Sequence, residues 1–143
     1  LPLPVLHPSR YLMQSLPFLF GIDSILVHRL WQVILWVGMT TWGAWLMAKK
    51  VSPGNKTTIY WLMLFLFLFF FQGAVYYHLM VCVVLVLIGY QKDKPLKTLL
   101  FVTLASIWAG ISRINWIPVP ALMAVSLYLL EQPFDGKDRF GYL

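Results

Sequence analysis

Of the 143 residues, 60% are hydrophobic and only 11% charged, at a mean hydropathy of +0.76. A soluble domain of this length cannot hide so much apolar surface behind so few polar groups, so part of the solvent is expected to be lipid. The net charge of +6 and pI near 9.6 do not point to a nucleic-acid partner, because the basic residues fall in short loops between apolar runs. The single cysteine, Cys82, rules out a disulfide framework or a cysteine metal site within the chain.

Residues 1–23, LPLPVLHPSRYLMQSLPFLFGID, hold four prolines in seventeen positions, which excludes one continuous helix. An irregular or broken-helical segment at the outer interface is predicted there. From Ser24 an aromatic-rich apolar run continues to Ala48, with Asp23 or Ser24 available as a cap, and about 25 residues suffice to span a bilayer. KKVSPGNK then reads as a water-facing turn. The apolar block 57–90 would be roughly 51 Å long as one helix, well beyond a hydrocarbon core of about 30 Å. It must therefore fold back, and Gln72-Gly73 is the polar, helix-breaking point near its middle. After the lysine-rich QKDKPLK, the block 98–130 is broken in the same way by SRINWIPVP.

The predicted fold is therefore all-α: a polytopic transmembrane bundle with spans at 25–48, 57–72, 75–90, 98–113 and 118–131, built as one helix plus two helical hairpins, with 132–143 as a cytoplasmic loop. Trp31, Trp45, Tyr60, Trp61, Tyr76, Tyr77, Tyr90 and Trp116 lie near block edges, as headgroup-level aromatic rings do. This threading places Lys49, Lys50, Lys56, Lys92, Lys94, Lys97, Lys137 and Arg139 on one side and only Arg10, Arg29 and Arg113 on the other. The positive-inside rule makes the lysine side cytoplasmic. Membrane lipids are the expected surroundings, and both termini read as truncations of a longer chain. Gly38, Gly43 and Ala44 mark a face where another helix can approach closely.

On the predicted outer face, HPSRY at 7–11 and His28-Arg29 meet QGAVYYH at 72–78 and SRINW at 112–116. The cations there are all arginine, whose planar fork suits fixed contacts with phosphate or carboxylate. Arg113 follows an apolar span and precedes Asn115, Trp116 and two prolines, a costly position unless the group is paired, functional or snorkelling to headgroups. His28 and His78 lack a haem-ligand pattern and read more simply as interfacial hydrogen-bonding groups. No nucleotide, dinucleotide, zinc-protease or serine-hydrolase motif is present, and no cofactor is expected.

LPLPVLHPSRYLMQSLPF, QGAVYYH and WAGISRINWIPVPALMA together resemble segments of large bacterial polytopic membrane proteins similar in layout to GT-C-type glycosyltransferases, which take sugars from polyprenyl-phosphate carriers. The resemblance covers most of the chain and rests on hydropathy and these phrases. It implies a bacterial inner-membrane location and an outward-facing site for a polyprenyl-phosphate-linked sugar, with Arg10, Arg29, His78, Arg113 and Asn115 as candidate substrate-binding residues. The family's acidic catalytic residue in its first outer loop has no counterpart here and would lie upstream. A transporter or flippase segment, or a structural subunit of a membrane complex, is the alternative expectation.

Overall fold

Proline spacing sets the entrance to the fold. The computed structural model describes residues 7–132, and over these the proline-rich stretch divides into a short helix α1 (Pro8–Gln14) and a 3-10 turn (Leu16–Phe20). Five longer helices follow: α2 (Ile25–Val51), α3 (Lys56–Phe69), α4 (Tyr77–Gly89), α5 (Pro95–Ser112) and α6 (Val119–Leu130). No strand occurs among the described residues.

Local chemistry accounts for the boundaries. Ser24 occupies the N-cap position of α2 in an extended conformation, yet its side chain makes no capping hydrogen bond, so the expected cap is positional only. Asn55 does cap α3, accepting from the Thr58 N–H at 3.2 Å. Pro95 opens α5, where its missing N–H costs nothing. The break expected at Gln72-Gly73 is a π-helical turn, Phe70–Ala74, in which Gly73 takes φ 87°. That left-handed backbone is open to glycine and strained for most other residues.

Of the two expected hairpins made of neighbouring spans, the second packs as such and the first does not. α3 and α4 join at the Gly73 turn but barely touch, because both pack on α2; the most extensive contacts are α4 with α5 and α2 with α3, each pair closed by a lysine-bearing loop. α5 and α6 also pack together. The physical reason lies in α4, which is apolar all round and can be buried on every side. Nearly all of it is buried, from Tyr77 and His78 through Met80, Cys82 and Val86 to Gly89. α2 meets it with small residues: Gly43, Ala44 and Ala48 are buried, and Met80 sits where a Gly43 side chain would begin. Gly38, by contrast, faces open space. At the far end of α4, a Cβ on Gly89 would overlap the Phe101 side chain of α5.

The outer helices carry the opposite burial pattern. Lys56–Gly73 and Pro95–Ser112 are long and apolar enough to cross a membrane, and only 6% and 17% of their residues are buried. A core helix of a soluble protein would be mostly covered. Large apolar side chains such as Phe65, Leu68, Leu100 and Ile107 stand exposed along them, and exposed apolar stretches of this kind mark surfaces that meet lipid or another protein.

At the lysine end, Lys50 Nζ donates to the Tyr90 carbonyl oxygen at 2.9 Å and lies 4.7 Å from the Tyr90 ring centre. Tyr90 in turn donates its hydroxyl to Glu131 at 3.2 Å, tying the ends of α2, α4 and α6 together. The Lys50–Glu131 ion pair itself, at 3.9 Å and partly exposed, contributes only about 0–1 kcal/mol.

Candidate functional site

The opposite end of the helices gathers the arginines and histidines, and α1 is what brings them together. Four hydrogen bonds fix this short helix. His7 Nδ1 donates to the Ser112 carbonyl oxygen at 2.7 Å, and Ser112 Oγ lies 2.5 Å from Ser9 Oγ. Gln14 Nε2 donates to the Tyr77 hydroxyl at 2.7 Å, and Trp31 Nε1 to the Met13 carbonyl oxygen at 2.8 Å. The N-terminal segment is thereby held against α5, α4 and α2 at once.

α4 and α5 are joined beside it by Trp108, whose indole N–H donates to the His78 carbonyl oxygen at 2.7 Å. Arg113, on extended backbone just after α5, lays its guanidinium over the Tyr76 ring at 5.5 Å, a contact worth about 0.5–1 kcal/mol at an exposed site. A cleft of about 220 Å³ results, lined by His7, Arg10, Trp36, Tyr76, Tyr77, His78 and Arg113. None of these residues is acidic, and among the described residues neither guanidinium is paired with a carboxylate. A second, wider cleft of about 550 Å³ adjoins it through His7 and Arg113 and is lined on its far side by Asn115.

His78 is the least satisfied group in the cleft. It is 4% exposed, yet among the described residues neither ring nitrogen has a hydrogen-bond partner. Its ring lies near-parallel to those of Tyr76, at 5.7 Å and 12°, and His7, at 6.1 Å and 27°, with Tyr77 edge-on at 5.4 Å. An unpartnered buried polar group is costly, so such a group in a cleft wall marks a place where a ligand or water belongs.

Of the five residues expected from sequence, Arg10, His78 and Arg113 share the first cleft, and Asn115 shares the second with Arg113. Arg29 lines neither: it is exposed on the first turns of α2. Its neighbour His28 is spent locally, bonding the Ile22 carbonyl oxygen at 3.0 Å and resting on Phe18. His7, Trp36, Tyr76 and Tyr77 complete the cleft without having been singled out as binding residues. For His7, Tyr76 and Tyr77 the signal was their place in the converging segments HPSRY and QGAVYYH; Trp36, in mid-helix, gave none.

A third concavity of about 320 Å³, between the 3-10 turn and α2, is lined by apolar side chains such as Leu16, Phe20 and Ile34 and offers no polar chemistry. No group of histidine, cysteine and acidic residues among the described residues is arranged to hold a metal. No known family, curated protein or solved structure matches this chain.

Proposed function

We propose that α2–α6 cross a bacterial inner membrane five times, with the lysine end cytoplasmic, and that the arginine cleft on the outer side holds the phosphate of a lipid-linked sugar. In this reading the chain is part of a GT-C-like glycosyltransferase whose catalytic acid lies outside the 143 residues.

The observation that carries the reading is the meeting of Arg10 and Arg113, from opposite ends of the sequence, in one cleft free of acidic side chains. Two forks without a carboxylate partner suit a phosphate, which accepts paired hydrogen bonds from each. The first N–H groups of α4 have no intrahelical acceptor and add positive potential at the same place. Exposed apolar flanks on α3 and α5 give a lipid tail somewhere to lie. α4, with 13 residues, would be about 20 Å long and too short to span on its own. Its burial among neighbours removes the difficulty, since irregular backbone at membrane depth is tolerated where protein covers it.

Binding of dodecyl phosphate to the full protein in phosphatidylcholine nanodiscs tests the proposal. Arg113→Lys keeps the charge and loses the planar fork, so affinity is expected to fall about tenfold, equivalent to about 1.4 kcal/mol, with unchanged membrane insertion. Unchanged affinity in Arg113→Lys would reduce Arg113 to a headgroup anchor.

A further inference from the structure

The phosphate reading leaves His78 unexplained, and its chemistry asks for something phosphate alone does not supply. A neutral imidazole carries one N–H and one lone pair. A cationic ring would set a third positive charge beside Arg10 and Arg113, which line the same cleft with no carboxylate among them. The neutral ring therefore needs two different partners, an acceptor for its N–H and a donor for its lone pair, and among the described residues it has neither.

The surrounding groups cannot fill the vacancies. The Tyr76 and His7 rings lie near-parallel to it at 5.7 and 6.1 Å without hydrogen-bonding its nitrogens, and the Tyr77 hydroxyl is taken by Gln14. Trp108 reaches only the backbone of His78.

We propose that His78 reads a hydroxyl group, so that the cleft takes a ligand presenting an anionic phosphate oxygen to one ring nitrogen and, on the other edge of the ring, a hydroxyl to the second, as the phosphate and a remote hydroxyl of a sugar phosphate can. The phosphate oxygen accepts from the imidazole N–H while the hydroxyl donates to the lone pair. A phosphate ester with no hydroxyl leaves the lone pair buried and unpaired. His78 thereby discriminates between a sugar-bearing lipid phosphate and a bare one. This inference rests on the phosphate reading of the cleft.

Three probes separate the two ideas when titrated calorimetrically into the full protein in phosphatidylcholine nanodiscs: inorganic phosphate, dodecyl phosphate and dodecyl-phosphoglucose. One added hydrogen bond, with relief of a buried unpaired group, predicts that dodecyl-phosphoglucose binds about five- to tenfold tighter than dodecyl phosphate. His78→Phe, of similar shape and without ring nitrogens, should bring that ratio to one, and His78→Gln, which keeps a donor and an acceptor, should restore part of it. Equal affinities in the parent protein overturn the role of His78, whether or not the Phe variant folds. So does a ratio that survives in His78→Phe, and in either case the phosphate reading is left standing. If neither dodecyl probe binds, the phosphate reading fails and this inference with it. Inorganic phosphate binding as tightly as dodecyl phosphate would assign the cleft to free phosphate and overturn the lipid-linked ligand.

Discussion

Single residues in this chain differ less in type than in what faces them, and glycine makes the contrast sharpest. Gly89 stands where α4 and α5 meet, and an added Cβ would overlap Phe101. Gly38, in the exposed part of α2, has no neighbouring atom within 4 Å. Gly89→Ala is therefore expected to lower stability by about 1–3 kcal/mol through overpacking, while Gly38→Ala should be neutral or raise it by up to about 1 kcal/mol through helix propensity. Thermal unfolding in detergent micelles reads both signs, and equal shifts for the two variants would contradict the α4–α5 contact. The sequence marked Gly38, Gly43 and Ala44 alike as small; which of them meets a helix depends on rotation about the α2 axis, and an apolar helix displays little periodicity to reveal that. The same blindness separates Arg10 from Arg29. Both sit in the N-terminal quarter near predicted outer ends and both are exposed, but Arg10 is carried into the cleft lining by the docked α1 while Arg29, on α2, lies outside it.

Among the elements, the helix breaks were legible because breakers carry a local signal: Pro17 and Gly21 around the 3-10 turn, Gly54 and Gly73 at positive φ, and Pro95 and Pro118 at helix starts. The α5–α6 pairing was legible too, but that of α3 was not, since α3 gives no periodic cue to set it against α2 rather than α4. The docking of α1 was also hidden, because it depends on hydrogen bonds across more than a hundred residues of sequence, such as Ser9 with Ser112. That element lends itself to a direct test. Ser112→Ala removes the contact and leaves the buried Ser9 hydroxyl short of a partner, a loss of about 1–3 kcal/mol. Hydrogen exchange is expected to quicken in Pro8–Gln14 with α4 unchanged. Equal quickening throughout would mean that α1 is not separately held.

For the whole molecule, the division of charge chemistry follows from how the helices are threaded. Lys50, Tyr90 and Glu131 lock one end of the structure, and His7, Arg10, His78 and Arg113 gather at the other. Composition made legible that helices here would be long and apolar enough to cross a membrane, as two are; the convergence of the arginine cleft required packing that hydropathy does not encode. The five-span reading fixes which end faces which side of the membrane. Single cysteines introduced by Gln72→Cys, Asn115→Cys, Pro53→Cys and Asp93→Cys, in a background carrying Cys82→Ala, can be treated in intact cells with a membrane-impermeant maleimide. Labelling at positions 72 and 115, with positions 53 and 93 protected until the membrane is opened, is the expected result; the reverse pattern, or labelling of all four in intact cells, would contradict it.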